Sequence, residues 1–116
     1  MLVKNAQNEN GNDEHLQEKL QEIKGQEGFI GYILRGSKSA AIDLKDPTKI
    51  IDYAVFSSAV FDLSCNMTDT LQVGDVNTII VESEKMKLLS MNVNNQRLSI
   101  FMEKSVDHDK LYKNLK

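Results

Sequence analysis

The sequence predicts an α+β domain built on a five-stranded, mostly antiparallel sheet. The element order is α-β-β-α-β-β-β-α, with one long helix on one face and two terminal helices on the other. Three observations predict this. Residues 46–67 (DPTKIIDYAVFSSAVFDLSCNM) are too apolar for a helix with one wet side. Five short runs alternate with period two and are joined in pairs by short polar turns. Several of those runs are apolar on both sides of the alternation, which requires helices over both faces of the sheet.

The long helix organises the rest. Asp46 suits the N-cap and Pro47 the first helical position, where no N–H bond is lost. Projected at about 100° per residue, Tyr53, Phe56, Val60, Leu63 and Met67 form one stripe. Ile50, Ala54, Phe61 and Cys65 form a second. Ser57 and Ser64 separate the two on one side, and Ile51, Val55 and Ala59 add apolar area on the other. Two stripes imply two things to pack against: the chain's own sheet and a partner, with a second copy of the chain as the first candidate. The pattern leaves open which stripe meets which.

Residues 1–13 are expected to be a disordered tail, because 4–14 (KNAQNENGNDE) carry almost no apolar side chains to offset the entropy of ordering. The domain is then 14–116. From Glu14 to Lys24, Leu16, Leu20 and Ile23 recur at helical spacing, with Asp13 available as cap and Gly25 and Gly28 as terminators. Phe29 to Leu34 (FIGYIL) reads as a central strand, RGSKS as a turn and AAIDL as a short second strand. A linker over 70–75 leads to Val76–Glu82, with Ile79 and Val81 on one face and Thr78 and Ile80 on the other. Met86–Val93 and Arg97–Glu103 follow. Asn94, Asn95 and Gln96 make the tight turn between them, since Asn tolerates positive φ. Asp107–Leu115 is a final short helix, capped by Ser105 or Asp107 and anchored by Leu111 and Leu115.

Composition narrows the function. The 116 residues suffice for one core, and 41% hydrophobic with 27% charged is ordinary for a globular protein. A net charge of −3 with scattered Lys and Arg argues against nucleic acid or an anionic membrane as main partner. The apolar runs are too short to span a bilayer. One cysteine and no signal-peptide pattern point to a cytoplasmic home.

No catalytic, cofactor or metal site emerges. GSKS (36–39) precedes a strand and lacks the first glycine of a phosphate-binding loop, so it reads as a hairpin turn. Asp107, His108 and Asp109 are adjacent and point apart on a helix, so they read as a cap and a solvated histidine. Cys65 lies in an apolar stripe with no base in view and reads as packing.

The order of these parts resembles the Roadblock family, the dynein light-chain and MglB-like domain. The resemblance runs over roughly 14–115. It rests on the helix ending at Gly25, GFIGYIL, the short second strand, the long central helix, the triplet VNTIIVE, MKLLSMNV, RLSIFME, and the closing EKSVDHDKLYKNL. GSKS replaces the acidic-Gly turn common in that family. The resemblance implies a non-enzymatic dimer in which the strand after the central helix pairs with its copy and the two central helices lie side by side. On this chain the implied interface is Tyr53, Phe56, Val60, Leu63 and Met67 on the helix and Thr78, Ile80 and Glu82 on the strand. It also implies a small Ras-like GTPase as partner. An architectural or motor-complex subunit, and a small-ligand sensor of PAS-like or profilin-like build, are the competing classes.

Overall fold

A computed structural model describes residues 13–37 and 40–115, with only the backbone of Asp13 and Glu14; the expected tail lies outside them apart from Asp13, which begins a helix. The elements are α1 (Asp13–Lys24), β1 (Phe29–Arg35), β2 (Ala40–Leu44), a 3₁₀ turn over Pro47–Lys49, α2 (Ile50–Leu71), β3 (Thr78–Glu82), β4 (Met86–Val93), β5 (Gln96–Glu103) and α3 (His108–Leu115). Every pairing is antiparallel and the sheet order is β2-β1-β5-β4-β3. The first and last strands of the chain therefore meet in the middle, and β2 and β3 are the two edges.

The faces follow from the pleat, since alternate residues share a side. Tyr32 and Leu34, Leu89 and Met91, and Leu98, Ile100 and Met102 form one core with Leu16, Leu20 and Ile23 of α1 and Leu111 and Leu115 of α3. The other face carries α2 over a smaller core of Ile33, Leu44, Leu88 and Phe101. The two terminal helices thus share one face and the long helix has the other.

Local chemistry sets the ends. Asp46 Oδ1 accepts from the backbone N–H of Thr48 at 3.1 Å and from its hydroxyl at 2.6 Å. The first turn after it is 3₁₀, so the α-helix starts at Ile50 rather than at Pro47. It also outruns the expected end at Met67. Gln72 takes φ 55° and Val73 N–H reaches Thr68 O at 3.2 Å, a C-terminal lock of the Schellman kind made here without glycine. The linker therefore starts later than the sequence suggests, and β3 begins at Thr78 rather than at Val76. Asn94 and Asn95 both have positive φ, 52° and 64°, and form a two-residue hairpin turn. Asp107 Oδ1 accepts from the N–H groups of Asp109 and Lys110, at 3.0 and 3.2 Å, and caps α3. No helix among the described residues is long and apolar enough to cross a membrane.

Candidate interface on the long helix and the sheet edge

The long helix is poorly covered by its own sheet. Of its 22 residues the one that is fully buried is a serine, Ser57. Ser57 Oγ donates to Ala54 O and Ser64 Oγ to Val60 O, so both hydroxyls are satisfied inside the helix and do not need the sheet. The serine seam that separates the two stripes in projection faces the sheet, and the stripes divide around it.

Tyr53 and Val60 of the first stripe pack on the chain's own core with Ile50 and Ala54 of the second. The Tyr53 ring stacks on Phe101 with centroids 4.6 Å apart. Phe61 lies half-buried beside Arg97, and Cys65 is half-buried on the same side. Phe56, Leu63 and Met67 of the first stripe point out, at 45%, 62% and 57% exposure. Ile51 and Val55 are exposed as well, as are Leu71 and Val73 beyond the expected helix end. One helix thus carries several large exposed apolar side chains, a feature of the kind found at interaction sites.

Its orientation follows from one contact. Ser58, on one flank of α2, accepts a hydrogen bond from Arg35 Nη1 of β1 at 3.1 Å. The opposite flank, which continues from Tyr53 and Val60 to Phe56, Leu63 and Met67, therefore faces away from β1. The sheet separately leaves β3 as an open edge.

On that edge, Ile79 and Val81 are paired with Ser90 and Leu88 and face α2. Thr78, Ile80 and Glu82 are paired with Met91, Leu89 and Lys87 and face the side of α1 and α3. The eight residues singled out by sequence therefore do not form one patch. Phe56, Leu63 and Met67 are exposed on the α2 side of the sheet, Thr78, Ile80 and Glu82 lie on its opposite face, and Tyr53 and Val60 lie half-buried under the helix. Ile80 is 43% exposed, a large apolar side chain at the middle of an unpaired edge.

Other sequence candidates resolve plainly. The structure describes Gly36 and Ser37 of the GSKS turn but not 38–39. His108 is not solvated as the sequence suggests: its Nδ1 lies 3.1 Å from Lys87 Nζ, and that buried ammonium also donates to Val106 O. Sequence reading missed Lys87 because a lysine inside MKLLSM reads as the solvent side of a strand. The α3 N-terminus closes over it. Among the described residues no three His, Cys, Asp or Glu side chains gather as metal ligands. A groove of about 580 Å³ runs between α1, α3 and the β3–β4 end of the sheet, lined by Leu16, Lys19, Thr78, Met91, Val93 and Tyr112 among others.

Solved structures share the overall fold of this chain. The fold is Roadblock-like. A Roadblock/LC7 domain from Streptomyces avermitilis superposes with a TM-score of 0.66 over 85% of this chain and 83% of its own, at 16% identity. The gliding protein MglB from Thermus thermophilus superposes with a TM-score of 0.69 over 98% of this chain and 86% of its own, at 14% identity. No family model matches the sequence, and no curated protein matches it either. The likeness thus lies in the element order and the packing, with little left in residue identity.

Proposed function

We propose that the chain is a non-enzymatic homodimeric platform that binds and regulates a small Ras-like GTPase. The dimer reading is supported by two features together, the exposed strip Phe56, Leu63 and Met67 and the open β3 edge. Two copies related by a two-fold axis pair antiparallel along β3. Full-length pairing centres on Ile80, which sets Thr78 opposite Glu82 and Ile79 opposite Val81 of the second copy. The sheet continues through the axis, which removes an edge that would otherwise invite aggregation. The two α2 helices then lie beside each other over the joined sheet and cover the strip.

Ile51, Val55, Leu71 and Val73 remain outside that contact and offer an apolar surface to a further partner. The GTPase as that partner rests on the Roadblock-like build. The platform acts by positioning the switch loops of the GTPase or by holding one nucleotide state, and supplies no catalytic residue of its own. The test is direct binding of purified Ras-like GTPases, loaded with GDP or a non-hydrolysable GTP analogue, followed by single-turnover GTP hydrolysis. State-selective binding or a changed hydrolysis rate supports the reading. A dimer that binds no such GTPase in either state supports a purely architectural role instead. The groove under α1 and α3 favours one second reading, a small-ligand sensor, which a thermal-shift panel of metabolites and nucleotides tests.

A further inference from the structure

Arg35 of β1 and Arg97 of β5 are directly opposed across the central strand pair, and both project on the α2 face. Like charges placed directly opposite on adjacent strands repel and destabilise a sheet unless something lies between them. Asp62 acts on Arg97 from a distance, but no carboxylate forms an ion pair with either arginine: among the described residues the ion pairs are Lys24–Asp43 and His108–Asp109. Arg35 instead donates to the neutral hydroxyl of Ser58, and the Arg97 guanidinium lies over the Phe61 ring. Burial, reinforced by Arg35, pulls the Arg97 pKa below its ordinary value, with Cys65 and Asp62 opposing. Between the two arginines, floored by Ile33 and Ser99 and overhung by Ser57 and Ser58, is a gap of about 20 Å³. That is room for one water-sized atom.

We propose that Arg35, Arg97 and the Ser58 hydroxyl form a binding site for a phosphate-type oxyanion, with one oxygen in the gap and the others on the guanidinium edges. The charge decides the class: two guanidinium groups match a dianion, and their planar forks suit the oxygen edges of phosphate. The phosphate can be free or carried as a monoester on a small molecule. The site is built on the β1–β5 pair and the dimer is argued from β3, so the two are tested by different variants.

The test is the melting temperature of the full chain in inorganic phosphate, a nucleoside monophosphate, acetate and chloride at one ionic strength and pH. Phosphate at tenfold excess over its Kd is expected to raise Tm by about 5 °C over chloride, with acetate giving little. Arg35→Gln is expected to abolish the rise while leaving Tm in chloride equal to or above wild type, because repulsion is removed. Arg35 is exposed, so this variant keeps the fold. In wild type, the guanidinium Nε–H resonances of both arginines are expected to shift on titration with phosphate. A larger rise with the monophosphate identifies an organic phosphate as the ligand, and a larger rise with inorganic phosphate identifies the free ion. No rise over chloride, an equal rise in acetate, or a rise that survives in Arg35→Gln overturns the proposal.

Discussion

Tyr53 of α2 stacks on Phe101 of the central strand β5, with ring centroids 4.6 Å apart and planes 21° from parallel. Phe101 is fully buried and Tyr53 half-buried, so this contact pins the long helix to the sheet near its N-terminal end. Tyr53→Ala removes the stack and is expected to cost about 2–3 kcal/mol, below the range for a fully buried aromatic because one edge of the ring is wet. Denaturant unfolding measures it. A cost under about 0.5 kcal/mol would place the anchoring of α2 elsewhere.

Gly31 has no room for a side chain. A Cβ there would sit 2.7 Å from Asp43 O and 2.9 Å from Leu44 Cα, both backbone atoms of the neighbouring strand. Gly31→Ala therefore pushes β2 away from β1 and is expected to destabilise by about 1–3 kcal/mol. Thermal unfolding checks it, and an unchanged Tm contradicts the close approach of the two strands.

Tyr32 titrates above the ordinary tyrosine range, first because it is buried and then because Asp43 lies near its phenol. Its pKa is raised in the folded state, so the unfolded chain ionises first as pH rises. Stability is fully present below about pH 10, the unfolded value, and falls above it. Tyr32→Phe is expected to flatten that alkaline limb. Urea midpoints at about pH 8 and above about pH 10 measure it, and an unchanged slope in the variant contradicts the assignment.

Asp46 and Asp107 shift the other way. The hydroxyl and N–H of Thr48 hold Asp46 below its ordinary value, and the N–H groups of Lys110 and Asp109 do the same for Asp107. A lowered folded pKa gives stability that is present above the unfolded value, about 4, and lost as pH falls through the folded one. Both carboxyl resonances are expected to titrate below model peptides by NMR, and the amides of α3 to lose exchange protection along with Asp107.

Much of the fold was legible because local periodicity carries it. The strands of the 78–103 meander, and the faces given to Ile79 and Val81 against Thr78 and Ile80, follow from the alternation alone. The packing of α2 was harder to read. Projection gives two apolar stripes, yet the sheet takes Tyr53 and Val60 from one, Ile50 and Ala54 from the other, and buries Ser57 between them. A serine that satisfies its own helix behaves as a small residue that lets the helix approach the sheet, and hydrophobicity does not register that. The opposition of Arg35 and Arg97 was out of reach, since it depends on a non-local pairing between the first and last strands. The length of α2 was missed because a glutamine, Gln72, takes the left-handed cap position where glycine is the usual signal.

The central claim is that the exposed strip of α2 meets a second copy, and absolute mass by light scattering after size exclusion tests it most directly. The wild type is expected at about twice 13.1 kDa. Phe56→Asp and Leu63→Asp are expected to fold, as judged by circular dichroism, and to elute at the monomer mass. Phe61→Asp, which places a carboxylate on the sheet side of α2, is expected to lose the fold instead. A wild-type protein that is well folded and monomeric at 13.1 kDa would contradict the account and leave the strip to a different partner.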